Sequence, residues 1–176
     1  HAVRVAQINP YLVDAPQLVL PNRRDAICMV PPIVFGSMPN DGGNLLLTDG
    51  ERNELLAAEP SAEKFVMRFL GAEEFLNSGR RWCLWLKGAS PSELRASPKL
   101  LERIERVRGH REASSRPTTR ELANTPSLFG EDRQPITPYL FVPSVSSERR
   151  RWIPIGLEVA TTIASNLALV VPNATV

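Results

Sequence analysis

The fold is decided by residues 139–157, which are Tyr-Leu-Phe-Val-Pro-Ser-Val-Ser-Ser-Glu-Arg-Arg-Arg-Trp-Ile-Pro-Ile-Gly-Leu. Residues 139–145 and 152–157 are rich in β-branched and aromatic side chains, so they predict two strands with a charged connection between them. Three consecutive guanidiniums repel one another and are costly to bury without partners, so they require solvent, carboxylates or phosphates. Arginines on a rigid hairpin suit the binding of a polyanion. The alternative is an ordinary solvated hairpin tip in which Glu148 pairs with one arginine.

Length and composition bound the class of protein. The chain has 176 residues, of which 43% are hydrophobic and 23% charged, which suits one globular domain. Sixteen prolines favour short elements and a loop-rich surface over a helix bundle. No apolar run of transmembrane length and no signal peptide is present, so we expect a cytoplasmic protein without a membrane partner. Two distant cysteines and two histidines predict free thiols, no metal site and no catalytic residue in this chain.

The net charge of +2 conceals an uneven distribution. Residues 41–79 contain eight acidic and three basic residues, a balance of −5, whereas residues 80–120 contain eleven basic and four acidic residues, a balance of +7. Such asymmetry indicates a polyanionic partner. The alternative is that the two segments pack together and neutralise each other.

Helix signals fall in the middle of the chain. Capping boxes at Thr48 and at Ser90 predict helices, the first of them over residues 48–58. Apolar spacing predicts further helices over 61–70 and 97–113. On the last helix an apolar face lies beside a basic stripe of Lys99, Arg103, Arg106 and His110, and the basic character continues through Arg108, Arg111, Arg116 and Arg120. The stripe suits a phosphate backbone, although surface solubility alone also explains it.

Strands and loops complete the predicted fold. Residues 18–20, 27–30, 80–86 and 168–173 are predicted to be strands, 158–166 a short helix, and 71–76 and 117–138 loops. In the strand at 80–86 we expect Trp85 in the core, while Trp82 either packs there or stacks on bases. Asp41-Gly42-Gly43 predicts a tight turn, either structural or with amides available to phosphate. The fold class is therefore α+β, with a short, mostly antiparallel sheet, several packed helices and long proline-rich loops.

Several motifs, in this order, resemble one known family. They are Ile8-Asn9-Pro10-Tyr11-Leu12, the Asp41-Gly42-Gly43 loop, Arg81-Trp82-Cys83-Leu84-Trp85-Leu86, the hairpin with its Ser-Ser-Glu-Arg-Arg core, and Pro172-Asn173-Ala174. Together they resemble the recognition region of MmeI-like DNA methyltransferases, which are large bacterial restriction–modification proteins. The resemblance implies that residues 1–176 are a single target-recognition domain excised from a larger chain. It also implies that the parent methylates an adenine amine with S-adenosylmethionine, and that this piece holds no cofactor and is catalytically silent.

The same resemblance implies two partners, double-stranded DNA and the methyltransferase domain of the same parent chain. The candidate phosphate contacts are Arg103, Arg106, Arg116, Arg120 and Arg149. The candidate base-reading residues are Glu148, Arg150 and Arg151, because arginine can bind guanine through two hydrogen bonds and glutamate can accept one from the cytosine amine. Two other classes stay open, namely a freestanding enzyme, for which no nucleophile–base pair is found, and a protein-interaction module of a larger assembly.

Overall fold

The structure, a computed structural model, describes residue 4 and residues 6–12, 14–19, 21–22 and 28–173. The chain divides into two compact units, His1–Val30 and Pro31–Val176. The described part of the first unit contains a turn, in which the Leu12 N–H donates to the Asn9 carbonyl at 2.9 Å, and no helix or strand. The predicted strands at 18–20 and 27–30 are therefore absent wherever these residues are described; residues 20 and 23–27 lie outside that part.

The second unit contains five α-helices within its described residues. They are α1 (Asp49–Ala58), α2 (Ala72–Asn77), α3 (Pro91–Arg95), α4 (Pro98–Glu112) and α5 (Pro117–Glu121). Two 3-10 segments, Pro60–Phe65 and Leu122–Asn124, follow α1 and α5. None of the helices in the described ranges is long and apolar enough to cross a membrane.

Eight short strands form two sheets. They are β1 (Val34–Phe35), β2 (Leu46–Leu47), β3 (Val66–Leu70), β4 (Trp82–Leu84), β5 (Tyr139–Pro143), β6 (Gly156–Glu158), β7 (Thr162–Ala164) and β8 (Ala168–Pro172). One sheet has the order β1-β8-β5-β6 and the other the order β2-β4-β3-β7. Among these strands only the β3–β7 pairing is parallel. The predicted α+β class with mostly antiparallel strands is confirmed, with two four-stranded sheets rather than one.

The capping signals determine where two helices begin. At α1 the Glu51 N–H donates to the Thr48 hydroxyl at 3.2 Å, and the Glu51 carboxylate accepts the Thr48 N–H at 2.9 Å. The same reciprocal pair forms between Ser90 and Glu93 at α3. These boxes satisfy backbone donors that lack intrahelical partners, so both predicted helix starts are confirmed. The predicted helix at 97–113 is confirmed as α4.

Four local predictions are wrong. Residues 61–70 form a 3-10 segment and strand β3 rather than one helix. Residues 71–76 belong largely to α2, and residues 117–124 are helical rather than loop. Residues 158–166 contain the end of β6 and all of β7 instead of a helix. Where a strand formed instead of the predicted helix, it is hydrogen-bonded to a strand distant in sequence, and this pairing overrides the helical spacing of the apolar residues.

The core consists of two apolar clusters, and the second is shared by both sheets, because Leu70 of β3 and Ala164 of β7 join it. The β2-β4-β3-β7 sheet packs against α1 and α4, and Leu100, Ile104 and Val107 bury the predicted apolar face of α4. The other sheet buries Tyr139 and Phe141 of β5. The strands pair over the full length of β5, which fixes the hairpin arms against a rigid base.

Gly36 marks the place where backbones of both sheets meet. Its N–H donates to the Ala168 carbonyl at 3.1 Å, and the next N–H, that of Ser37, donates to the Ala164 carbonyl at 2.7 Å. A Cβ on Gly36 would lie 2.3 Å from the carbonyl oxygen of Ser165. Only glycine allows this approach, because backbone atoms cannot move aside.

Candidate nucleic-acid interface

The hairpin predicted from residues 139–157 forms, and its first arm is deeply anchored. Tyr139 pairs with Glu158 and Phe141 with Gly156 across β5 and β6. Both aromatic side chains are fully buried, and the Tyr139 hydroxyl donates to the Thr162 carbonyl at 2.6 Å. Burial raises the pKa of Tyr139, which keeps this phenol neutral as a hydrogen-bond donor.

The second arm begins later than predicted. Its strand starts at Gly156 rather than at residue 152. Pro154 has no N–H to give to a ladder, which favours a late start. Gly156 itself lies against the ring of Phe75, where an added Cβ would come within 2.5 Å of a ring carbon. Residues 144–155 therefore form a long connection outside the strands, whose residues 144–153 are all exposed.

The connection presents positive charge without internal compensation. Arg149, Arg150 and Arg151 are exposed, and among the described residues no carboxylate lies within ion-pair distance of them. The expected alternative, in which Glu148 pairs with one arginine, is not observed. The guanidinium of Arg151 lies 5.2 Å from the ring centroid of Trp152, whose side chain is 75% exposed. This end of the hairpin combines cations with an exposed aromatic ring, as protein surfaces that bind nucleic acids do.

The connection also has a defined turn. The Arg150 N–H donates to the Ser147 carbonyl at 3.0 Å, and the Arg149 N–H donates to the Ser147 hydroxyl at 3.3 Å. Serine stabilises turns in this way by replacing backbone partners. The Ser-Ser-Glu-Arg-Arg core thus shapes the loop that carries the arginines.

Arg103, predicted to bind phosphate, is engaged inside the protein. Its side chain is only 18% exposed and donates to the Glu51 carboxylate at 2.9 Å and to the Asn44 carbonyl at 3.0 Å. Hydrogen bonds from Thr48 and from Arg103 lower the pKa of Glu51, which keeps this pair ionised. The basic helix and the acidic helix α1 therefore neutralise each other at this contact, as the alternative interpretation of the charge asymmetry expected.

The other predicted phosphate contacts differ in availability. Arg106 is exposed and pairs with Glu102 one helical turn away, a surface interaction of small energy. Arg120 donates to the carbonyls of Ser114 at 2.9 Å and Ser115 at 3.0 Å. Arg116 is exposed, and its side chain has no hydrogen bond or ion pair to another described residue. Among the candidates on α4, on α5 and at the N-cap of α5, Arg116 is the most available to an anion.

Arg111, counted with the basic surface, is instead fully buried. Its guanidinium donates five hydrogen bonds of 2.7–2.9 Å to the carbonyls of Pro39, Asn40, Leu122, Thr125 and Leu128. Desolvation lowers the pKa of Arg111, and the nearby carboxylate of Asp41 opposes that shift. A signal for this burial exists in the sequence, because Arg111 follows Val107 by four residues on the apolar face of α4.

The Asp41-Gly42-Gly43 turn uses its own amides. The Asp41 carboxylate accepts the N–H groups of Gly43, at 3.0 Å, and of Leu45. Gly42 has φ +63° and lies against His110, so an added Cβ would fall 2.8 Å from Nδ1 of the imidazole. The turn therefore uses the N–H groups of Gly43 and Leu45 within the fold, so these two amides are not available to a phosphate.

The acidic and thiol side chains of the described residues do not gather into a metal-binding cluster, and one of the two thiols, that of Cys28, is exposed. The described part of the chain contains no group of three or more His, Cys, Asp or Glu side chains that could hold a metal ion. Glu74 accepts the Gly71 N–H at 2.9 Å at the start of α2. Cys83 is buried, and burial raises the pKa of its thiol, so it is not a nucleophile.

The two tryptophans of β4 and its flank have different environments. Trp85 packs edge-on against Phe129 with ring centroids 4.9 Å apart, as the core prediction expected. Trp82 is half-buried; its indole N–H donates to Asp49 at 2.6 Å, and the guanidinium of Arg52 lies 4.4 Å from its ring centroid. Trp82 is therefore held in position at the edge of the core cluster, against which both tryptophans pack as partly buried side chains.

Comparison with known proteins identifies a family. The model of "MmeI, target recognition domain" matches residues 14–176. DNA methyltransferase A of Bacillus subtilis (strain 168) is 40% identical over 170 residues, which are 97% of this chain and 19% of that protein. A solved structure of the type IIL restriction–modification enzyme MmeI in complex with DNA is 43% identical, with a TM-score of 0.90 over 99% of this chain and 23% of the solved chain. The chain thus spans about a fifth of the length of these relatives.

Proposed function

Because the chain belongs to the MmeI target-recognition domain family, we propose that it recognises a specific sequence in double-stranded DNA. The observation that carries this proposal is the exposed connection 144–155, which holds three arginines without an ion-pair partner among the described residues on a buried hairpin base. A relative that is 43% identical has been solved with DNA. The alternative of a protein-interaction module is not favoured, because no comparable observation supports it.

The hairpin divides the work of recognition between positioning and reading. Arg149, together with Arg116 at the N-cap of α5, would neutralise phosphates and hold the duplex in register. Glu148, Arg150 and Arg151 would read base edges in the major groove, where each good pair contributes about 1–3 kcal/mol of discrimination. Arg103, Arg106 and Arg120 remain candidate phosphate contacts, but each must first release the partner that it holds.

The domain is proposed to act within a larger protein. We propose that residues 1–176 form one target-recognition domain of a cytoplasmic restriction–modification protein, and that a methyltransferase domain of the same chain is its partner. That domain would bind S-adenosylmethionine, which supplies the methyl group for an adenine amine. Residues 1–176 would contribute only the contacts with DNA that hold the flipped adenine in register.

The test is DNA binding by this chain over a salt series, with random and selected duplexes. We expect an affinity that falls steeply with salt, with a logarithmic slope of about −0.9 for each neutralised phosphate. Arg149→Ala should reduce the magnitude of the slope by about one contact, and Glu148→Gln should change the selected base at one position. Arg95→Ala, which removes one exposed cation from α3, is the matched control. No salt-dependent binding even at low salt would refute the proposal.

A further inference from the structure

A cavity of about 500 Å³ lies beside the return strand of the hairpin. It is lined by residues of α2, β3, the segment before β4, and β6, among them Arg68, Arg80, Arg81, Trp82 and Glu158. The volume lies within the range of sites that hold small ligands. None of these residues belongs to the candidate sites predicted from the sequence, apart from Trp82.

Two of the three guanidiniums at this cavity have no partner among the described residues. Arg68 and Arg80 are exposed, and no hydrogen bond or ion pair joins their side chains to another residue of that part. Arg81 lies 3.8 Å from the Glu74 carboxylate, which is already accepting the Gly71 N–H. This pair is long and leaves most donors of Arg81 free.

The cavity is held in shape by neighbouring elements. Arg68 pairs directly with Trp82 across β3 and β4, so both side chains lie on one face of the sheet. The Trp82 ring is fixed by Asp49 and Arg52. Glu74 and Glu158 also line the cavity, so three cations face two carboxylates and the balance is +1. A planar guanidinium presents its N–H donors in a fixed fork, and free donors of this kind in a partly apolar cavity suit the binding of a phosphate.

We infer that this cavity is a second phosphate-binding site, which holds the backbone of the same DNA duplex that the hairpin connection contacts. The inference rests on the proposed function. Strand β6 links the two places, because Glu158 follows Arg151 by only seven residues. Seven extended residues span at most about 25 Å, which is less than the ~34 Å of one turn of DNA. A single duplex can therefore contact both the connection and the cavity.

The experiment measures DNA affinity over a salt series for Arg68→Ala, Arg80→Ala and Arg149→Ala, with Arg95→Ala as the charge-matched control. Each cavity variant should reduce the magnitude of the salt slope by about one contact and weaken binding similarly for all sequences. A scan of duplexes with single uncharged methylphosphonate linkages then locates the contact. We expect one linkage that weakens binding of the wild type but has little effect on Arg80→Ala, and a different linkage for Arg149→Ala.

The outcomes separate this inference from the proposed function. If the wild type binds DNA and Arg149→Ala weakens it, while both cavity variants behave like Arg95→Ala, the cavity inference is wrong and the recognition function stands. A second result would lead to the same conclusion. Inorganic phosphate, compared with chloride at equal ionic strength, would protect the cavity arginines from chemical modification, and yet Arg68→Ala and Arg80→Ala would leave the DNA affinity unchanged. If the wild type does not bind DNA at all, the proposed function fails and the inference fails with it. Thermal unfolding of each variant checks that folding is retained.

Discussion

Replacing the buried Arg111 by methionine should destabilise the fold strongly while leaving the proposed DNA-binding surface untouched. The guanidinium joins three segments, because its five acceptors lie in residues 39–40, in 122–125 and at 128. Methionine fills similar volume but donates no hydrogen bond. Each of the five carbonyls must then find water or remain unsatisfied in the interior.

The expected loss in the free energy of unfolding is the balance of opposing contributions. Five charge-assisted hydrogen bonds at about 1.5–3 kcal/mol each would suggest more than 7 kcal/mol. Removing the arginine also removes the cost of burying its charge, and partial rehydration of the carbonyls lowers the loss further. Truncating one partner of a buried charged network typically costs about 3–5 kcal/mol, which is the value expected here. That is a large share of the ~5–15 kcal/mol that stabilises an ordinary domain.

Urea unfolding followed by tryptophan fluorescence gives the free energy of unfolding directly. With a slope of about 1–3 kcal/mol per molar urea, the expected loss lowers the midpoint by about 2 M. Arg108→Met is the control, since Arg108 lies on the same helix but its side chain is 42% exposed and pairs only with Glu105 at 3.2 Å; its cost should stay below about 1 kcal/mol. If Arg111→Met lies within about 1 kcal/mol of Arg108→Met, the stabilising role assigned to the five hydrogen bonds is refuted.

Three further changes test other parts of the structure. Gly36→Ala should lower the free energy of unfolding by about 3 kcal/mol or more in urea titrations, because its Cβ would lie 2.3 Å from a backbone oxygen; an unchanged midpoint would contradict the close approach. Gly156→Ala should displace the return strand β6 from Phe75, and it should lower the free energy of DNA binding more than the free energy of unfolding. Equal losses in the two free energies would argue against a role of Gly156 in positioning the hairpin connection. A hydrogen bond from the Lys64 ammonium and others from Ser90 lower the pKa of Glu93 to about 2. Its ionised form therefore stabilises the fold above about pH 4.5 and this contribution disappears as the pH falls through about 2, so wild type and Glu93→Gln should converge in stability on acidification; a constant difference would contradict this.

The features that can be predicted from the sequence are those that depend on neighbouring residues. Capping boxes at Thr48 and Ser90 act within four residues, so their signals are local and the helices begin where expected. The hairpin of β5 and β6 is also a contact between consecutive strands. The start of α4 shows the limit of such signals, because Ser97 makes no capping bond to the backbone there. Instead the Glu59 carboxylate accepts the Lys99 N–H at 2.8 Å.

The errors arise where distant pairing decides the structure. Strand β3 lies between β4 and β7, and its parallel partner begins more than ninety residues later, at Thr162. All three residues of β7 are buried, so the strand lacks the alternation that identifies a half-exposed strand. The burial of Arg111 is hard to predict for a related reason. Its charge suggests the surface, and its five acceptors come from segments that only the folded chain brings together.

The electrostatics of the molecule explain why a net charge of only +2 is compatible with DNA recognition. The acidic segment does neutralise part of the basic one, since Arg103 pairs with Glu51. This pair removes positive charge from α4, where the sequence alone suggested the footprint. The uncompensated guanidiniums among the described residues instead concentrate in the hairpin connection 144–155 and at the cavity beside its return strand. Because exposed, unpaired cations release the counterions of DNA most effectively, substitutions in these two places should change the salt slope, and substitutions at Arg103 should chiefly change stability.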